Sequence, residues 1–450
     1  MGDDVYIIIV GAGNVGYNLA KLLSYEKHDL VIIEQDHEHF QKASETLDAQ
    51  VLQGSGSSYR MLEKAGIQKA DMLVAVSNQD EVNLLSCLMA KGYNVPKTIA
   101  RVQNREFIHE QSPLNAKRIG IDLLIHPESE AATAAIHLLK QSAASHLIEF
   151  AGGRIIVLGV QVDRDSEILR IPLSQLTMQN PELRFRTVAI QRNELTKIPG
   201  GNDMFMPNDR AFIAVDKDNI EGLIQLFGKK NRSIDNVMIL GGGQTGFLIA
   251  RQLERKSNVK VIESGSEQSE QLAEQLKKAL VIKGDGLDYN LLALEGIIDM
   301  DAFIAVTGDD ETNLVASLMA KHLRVPKIIS LINKTEYGPI IPTIGIDAFI
   351  SKQMLTVNSI LRFIRRGQIA GVASLPGTPV EAIEFIAREG SKILKKPLSK
   401  TRFPKNVILG AVLRRDDVFI PIGDTVIEAG DKVVTFAFPS AIHELEKMFD

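Results

Sequence analysis

Two glycine turns hold the residues best suited to chemistry. Gly11-Ala12-Gly13-Asn14-Val15-Gly16 closes a short apolar run and opens an amphipathic stretch, and Glu34 stands 21 residues beyond Gly13. In this pattern the first glycine permits a tight turn after a strand. The second lets the backbone approach a pyrophosphate, and the third lets helix and strand pack closely. The free N–H groups and positive dipole end of the helix then face phosphate. A carboxylate at Glu34 can accept hydrogen bonds from both ribose hydroxyls and repels a 2′-phosphate, which favours NAD(H) or a simple adenosine nucleotide, ADP or ATP, over NADP. The whole context returns in Gly241-Gly242-Gly243-Gln244-Thr245-Gly246 and Glu263.

Other residues fall at the carboxyl ends of the same strands. Ser77 and Asn78 follow the fourth strand, and Thr307 and Gly308 are their counterparts. Ser55 and Asp285 follow the third, where an adenine is expected. Arg101 ends the fifth and can reach a phosphate; Leu331 replaces it in the second copy. The first site is therefore expected to tolerate more phosphate charge than the second. No catalytic constellation accompanies either site. His126 and His137 have no counterparts (Ser351 and Arg362 stand there) and read as surface or interface residues. Cys87, the one cysteine, becomes Ser317 and reads as packing. Neither an HExxH pattern nor a multi-cysteine metal site is present.

The elements that hold these residues repeat as well. Residues 75–97 match 305–327 at 13 of 23 positions, and Gly120-Ile121-Asp122 returns as Gly345-Ile346-Asp347. Strands are expected at 5–10, 30–34, 51–53, 72–76, 98–102 and 123–125, separated by helices such as 15–24, 59–65 and 81–91. Apolar runs alternating with helices argue a parallel sheet covered on both faces. A smaller module follows each large one, with strands at 185–191 and 211–215 and a helix at 217–227, repeated at 407–413, 432–438 and 440–449. Ala-rich helices at 130–144 and 357–369 lie between. The fold class is α/β: two doubly wound Rossmann-like domains, each followed by a small α+β domain, in tandem duplication. The boundaries read as 1–127, 128–145, 146–229, 234–351, 352–367 and 368–450, with a polar hinge at 228–236 that includes Lys229, Lys230 and Arg232.

The length of 450 residues suggests about three domains; the repeat makes it four modules. Net charge is −5, which disfavours a nucleic-acid binder. The acidic start is unlike a secretory leader. No apolar run approaches the roughly 18 residues of a membrane span. A cytoplasmic chain is expected, reaching the membrane only through a partner.

These residues resemble the RCK (KTN) regulators of potassium transport over essentially the whole chain. The carriers are Gly11–Gly16 with Glu34, residues 71–77, Asp80-Glu81 and Asn83, and in the second half Gly241–Gly246 with Glu263, Gly284-Asp285-Gly286, residues 301–307 and Asp310-Glu311-Thr312-Asn313. The resemblance implies a homo-oligomeric ring, often a tetramer in the tandem type, beneath a membrane potassium-translocating subunit of the Trk type. Nucleotide binding in the large lobes would gate potassium flux, and helices near 130–145 and 352–367 would cross between lobes and subunits. Some members carry an Arg inside the glycine turn that reaches a γ-phosphate; here Asn14 and Gln244 stand there. The competing class is an enzyme, a duplicated NAD-dependent oxidoreductase of unrecognised substrate.

Overall fold

The computed structural model describes residues 5–24, 28–109, 111–113, 115–140, 143–193, 195–230, 233–337, 341–364 and 369–450. Arg232 of the expected hinge, and parts of the helices expected up to 145 and 369, lie outside them. Six strands form the first large sheet: β1 (Tyr6–Val10), β2 (Asp29–Glu34), β3 (Gln50–Gln53), β4 (Met72–Ala75), β5 (Lys97–Arg101) and β6 (Leu123–Ile125). All pair in parallel, in the order β3-β2-β1-β4-β5-β6. Helices α1 (Asn14–Ser24), α2 (His37–Thr46), α3 (Tyr59–Lys64) and α4 (Asp80–Gly92) make the crossovers, followed by α5 (Ala116–Ile119) and α6 (Pro127–Lys140). Ile7 to Val10 are all buried, because helices cover both faces of the sheet. Helix α1 turns Val15, Leu19, Ala20 and Leu23 inward. Strand order reverses between β1 and β4, and the crevice at such a point is where ligands bind in open α/β sheets.

The first small lobe is one antiparallel sheet of β7 (His146–Phe150), β8 (Ile155–Gln161), β9 (Phe185–Arg192), β10 (Leu195–Lys197) and β11 (Arg210–Asp216), with α7 (Leu173–Gln179) and α8 (Ile220–Leu226). Its order is β10-β9-β11-β8-β7. The second large module repeats the first with β12 (Asn236–Leu240), β13 (Asn258–Glu263), β14 (Leu280–Lys283), β15 (Ala302–Ala305), β16 (Lys327–Leu331) and β17 (Ala348–Ile350), ordered β14-β13-β12-β15-β16-β17. Its helices are α9 (Gln244–Leu253), α10 (Ser266–Gln275), α11 (Tyr289–Leu294), α12 (Asp310–His322), α13 (Ile341–Ile344) and α14 (Lys352–Ile364). The second small sheet holds β18 (Ile369–Ser374), β19 (Glu381–Ile386), β20 (Val407–Arg414), β21 (Asp417–Phe419) and β22 (Lys432–Ala437), closed by α15 (Pro439–Phe449). Its order, β18-β19-β22-β20-β21, is that of the first small sheet read from the opposite edge.

The chain divides into two compact units, 1–130 with 353–366 and 131–352 with 367–450. Helix α14 thus packs in the unit of the first large sheet, where Ser359 Oγ donates to Glu130 (3.3 Å). Of the helix expected over 357–369, and near 352–367 from the resemblance, the described part is Lys352–Ile364, and Ile369 is already paired with Phe385 as a strand. Of the helix expected over 130–144 the described part is Pro127–Lys140, and Ser145 N already donates to Gly159 O at the sheet (2.8 Å).

Within the second unit the two small sheets share one core. Phe150, Val157 and Phe212 pack with Ala382, Val434 and Phe436. Polar groups seal its edges: Ala151 N donates to Glu384 (2.9 Å), Arg184 to Asp417 and the Val418 carbonyl (2.6 Å each), and Gln191 to Gly377 O (2.8 Å). A lobe of roughly 80 residues is marginal alone; here the first lobe keeps a core of its own around Leu158, Ile213 and Phe227 and packs its other face on its copy.

His146 lies where the first small sheet meets the second large one. Its ring sits edge-on to Phe349 (5.2 Å between centroids) and tilted against Phe212, and its Nε2 has no hydrogen-bond partner. Beside it Lys327 Nζ donates to Ala144 O (2.6 Å). Burial, then the charges of Arg210 and Lys327, hold the imidazole well below its ordinary pKa. The unfolded chain therefore takes up a proton near pH 6.5 that the folded chain refuses. Stability is full above that pH and falls as acid is added. Replacing His146 by Phe keeps the ring and removes the proton site. Thermal melts between pH 7.5 and 5 should fall less steeply for the variant; parallel curves would refute the assignment.

Candidate functional site

The first large module holds a cleft of about 420 Å³ at the point where strand order reverses. Its walls are Val10 and Gly11, the end of β2 from Ile33 through Glu34, Gln35, Asp36 and His37, then Gly54 and Gly56, and Ser77, Asn78, Gln79 and Val82. Each glycine of the turn meets a distinct demand. Gly11 has φ +99°, and a Cβ there would lie 2.8 Å from Ser77 N. A Cβ on Gly16 would lie 1.9 Å from the Gly11 carbonyl oxygen. Around Gly13 nothing lies within 4 Å of that position. The first bond of α1 runs from Tyr17 N to Gly13 O (2.9 Å), so the amides of Gly13, Asn14, Val15 and Gly16 stand outside the helix ladder. A phosphate can therefore come against this backbone.

Glu34 is buried and engaged. One carboxylate oxygen accepts from Ala12 N and the other from Asp36 N (2.7 Å). Ribose hydroxyls would use the lone pairs that remain. Asp36 in turn caps α2 by accepting from His39 N (2.9 Å), and that bond holds its carboxyl below the usual range.

The floor is fixed by two side chains. Asn83 is fully buried and makes four bonds: its Oδ1 accepts from Ser77 N (2.9 Å) and Ser77 Oγ (2.7 Å), and its Nδ2 donates to Ser77 O and Arg101 O (2.9 Å each). Asp80 accepts from Gln103 N (2.8 Å) and Asn104 N (2.7 Å), which anchors the loop after β5.

The second module rebuilds this geometry. Gly241 has φ +101°, a Cβ on Gly246 would lie 1.9 Å from Gly241 O, and Gly243 again faces open space. Glu263 accepts from Gly242 N (2.7 Å) and Gly265 N (2.8 Å). Helix α9 opens with Gln244, then Thr245, and its first bond runs from Phe247 N to Gly243 O. Asn313 binds Thr307 and the Leu331 carbonyl as Asn83 binds Ser77 and Arg101. Thr307 and the exposed Gly308 stand where Ser77 and Asn78 stand.

Not every expected residue joins the cleft walls. The Ser55 hydroxyl turns to Ser57 (2.8 Å), and Asp285 accepts from Leu287 N in its own loop (2.9 Å). Arg101 is half-buried on β5; burial pulls it below its usual pKa, against Glu128 and Asp80, and its Nε has no partner. His126 is buried, contrary to the surface reading: its Nδ1 accepts from Ser129 N (3.0 Å), so Nε2 carries the proton shared with Gln103 O (2.9 Å). It caps α6. Cys87 is buried on α4, and burial pushes its thiol far up. Gln35, Asp36 and His37 were missed by sequence reasoning, although an Asp two residues past a strand and before a polar helix is a capping signal. Among the described residues no group of His, Cys, Asp or Glu could hold a metal, and no helix is long and apolar enough to cross a membrane.

Fold and glycine geometry define the class: a doubly wound, Rossmann-type module present twice, each copy followed by a small antiparallel lobe. The TrkA-N domain profile matches residues 7–127 and 237–352, and the TrkA-C domain profile matches 382–450. The chain is 35% identical to Trk system potassium uptake protein TrkA homolog 2 of Methanosarcina mazei, over 98% of this chain and 99% of that one. It is 34% identical to Trk system potassium uptake protein TrkA of Azorhizobium caulinodans, over 98% of each. The GsuK RCK domain superposes with a TM-score of 0.59 at 16% identity, covering 100% of this chain and 96% of that one. The GsuK channel bound to NAD gives 0.59 at 17%, covering 100% and 80%. This chain belongs to the TrkA family of Trk system potassium uptake proteins.

Proposed function

We propose that the chain is the nucleotide-responsive regulatory subunit of a Trk-type potassium uptake system, with no enzymatic step of its own. Each large module binds NAD(H) or an adenine nucleotide such as ADP or ATP on its glycine turn. In the first site Gly11, Ala12, Gly13, Asn14, Val15 and Gly16 hold the phosphates, Glu34 the ribose, and Ser55, Ser77, Asn78 and Arg101 the remainder. The second uses Gly241 to Gly246, Glu263, Asp285, Thr307 and Gly308. The observation that carries this reading is the open space at Gly13 and Gly243, each at the start of a helix whose first bond returns to that glycine's carbonyl. The family's name and the NAD-bound GsuK neighbour of the same fold support it. The modules are taken as 1–127, 146–229, 234–351 and 368–450, assembled as a homotetrameric ring on the inner face of the membrane against the potassium-translocating subunit.

A nucleotide shifts such a ring only by binding one arrangement more tightly than the other. Driving it from 1:99 to 99:1 needs about 5.5 kcal/mol in all, within reach of several sites at roughly 1–3 kcal/mol each. Potassium flux through a reconstituted Trk-type membrane subunit, measured with this chain and with or without NADH, tests the proposal; flux indifferent to nucleotide sinks it.

The two sites should differ at the phosphate end. Arg101 has an unpartnered Nε, whereas its counterpart Leu331 is apolar and buried. Glu263→Ala leaves the first site for titration and Glu34→Ala the second. The preference for ATP relative to NADH should be about tenfold higher in Glu263→Ala, the worth of one charge-assisted contact. Equal ratios in calorimetry would dismiss Arg101.

A further inference from the structure

The two sites also differ at the ribose end, in the opposite sense. In the first module the strand carrying Glu34 runs on into Gln35, Asp36 and His37, all in the cleft wall. Two carboxylates, Glu34 and Asp36, therefore stand together where the ribose 2′-oxygen is expected. The neighbouring strand ends in Gln53, whose amide meets His37 Nδ1 (3.3 Å). In the second module the same positions read Glu263, Ser264, Gly265 and Ser266, and the neighbouring strand ends in Lys283. Glu263 and Lys283 are register partners on adjacent parallel strands, and Lys283 Nζ donates to Ser266 Oγ (2.9 Å). The ammonium thus stands over the counterpart of a cleft-wall residue. Glu38 and Glu267 open the following helices in both copies and cancel in the comparison.

The local balance is two negative charges in the first site and one of each sign in the second. The ribose carboxylate is held alike in both copies, Glu34 by Ala12 N and Asp36 N and Glu263 by Gly242 N and Gly265 N, so the difference lies in Asp36 and Lys283. Lys283 has three N–H donors and spends one on Ser266. A cation at this edge of a doubly wound sheet is what accommodates a 2′-phosphate.

We propose that the second site accepts a 2′-phosphorylated adenine dinucleotide, NADP(H), with Lys283 as its 2′-phosphate partner, while the first site, with Asp36 in place of Gly265, rejects it. This rests on the nucleotide-binding reading above. It revises the expectation that the ribose carboxylate favours NAD(H) over NADP at both sites, and it gives one chain two dinucleotide pools to report on.

The test is calorimetric titration of the full chain with NADP⁺ and with NAD⁺. NADP⁺ should fill one site per chain and NAD⁺ two. Lys283→Ala should weaken NADP⁺ about tenfold and leave NAD⁺ within about threefold; Lys283→Arg should restore it. Lys283 is exposed, so the variants should fold. NADP⁺ affinity should also fall more steeply with salt than that of NAD⁺. NAD⁺ binding without NADP⁺ binding overturns the proposal and leaves the nucleotide reading intact. So does NADP⁺ binding that is unchanged in Lys283→Ala. If neither dinucleotide nor ADP nor ATP binds, the underlying reading falls with it.

Discussion

Gly13→Ala is expected to abolish nucleotide binding at the first site while leaving the module folded, and Gly16→Ala to do the reverse damage three residues away. The two residues share a turn and a side chain of nothing. What separates them is the space a methyl group would enter. At Gly16 the Cβ would lie 1.9 Å from the carbonyl oxygen of Gly11, and that oxygen belongs to backbone tied by Gly11 N to Ile33 O. No rotamer relieves it. Helix α1 must lift off β1, and its buried Val15, Leu19, Ala20 and Leu23 lose contact with the sheet. Overpacking of this kind costs ~3 kcal/mol, a large share of the stability of a domain. At Gly13 the Cβ meets nothing within 4 Å and φ is not in the left-handed region, so alanine adopts the native backbone without strain. A Gly→Ala exchange there even removes unfolded-state freedom, by about 0.4–1 kcal/mol. The same methyl occupies the space a pyrophosphate needs. Denaturant midpoints and NADH titrations of both variants separate the roles: Gly16→Ala should lose midpoint, Gly13→Ala should lose affinity by at least tenfold at an equal or slightly raised midpoint. Gly13→Ala that binds normally would remove the turn from the site. Gly243 and Gly246 should repeat the contrast in the second module.

The large modules were legible because their constraints are local. A parallel strand covered on both faces must be a short apolar run, and 7–10 and 237–240 are such runs. Each glycine answers a steric demand within a few residues or one strand away. The duplication then doubled every signal. The small lobes were less legible. Strands were expected at only two places in each, and β7, β8, β10, β18, β19 and β21 went unassigned. Edge strands such as β10 and β21 span three residues, too short for periodicity. In β7 and β18 the burial that defines the strand comes from the other small lobe, through Phe150 and Ala373 in the shared core. A run that is half-buried alone and buried in pairs has no signature in its own segment.

The same distinction holds for the site. Gly11, Glu34 and Ser77 were found because motif spacing fixes them. Asp36, His37 and Lys283 were not, because they matter through the loop they border. Their identities become informative only when β2 and β3 are laid side by side and Gln53 is compared with Lys283. Ser55 occupies the expected loop, yet its hydroxyl satisfies a neighbour, and sequence cannot say which way a hydroxyl turns. His126 was misread for a related reason: a histidine after a strand looks exposed until Gln103 and Ser129 are seen to enclose it.

Asn83→Leu should be the most damaging single exchange that leaves the glycine turn untouched. Leucine matches asparagine in length and suits the middle of α4, so helix propensity is not at stake. The loss is polar. With the amide gone, Ser77 N, Ser77 O and Arg101 O lose their partner at a position fully removed from water. Each unsatisfied buried group costs ~1–3 kcal/mol; the loop can open to water and recover part of this, so a net loss of about 3–5 kcal/mol is expected. The opening is itself the functional consequence. Ser77 N is the atom that packs 2.8 Å from where a Gly11 Cβ would be, so releasing Ser77 loosens the turn that faces the phosphates. The ends of β4 and β5 also part, and Arg101 leaves with its strand. Asn83→Asp is the informative companion: it keeps the two bonds Asn83 accepts, loses the two it donates, and buries a charge against two carbonyl oxygens. It should fold no better than the leucine variant and bind nucleotide at the first site no more tightly, whereas Asn313 preserves the second site in both. Hydrogen exchange at Ser77 and at Thr307 in one chain provides the internal comparison. Protection lost at Ser77 alone is the expected result; equal protection at both would show that the amide clamp is not what closes the site.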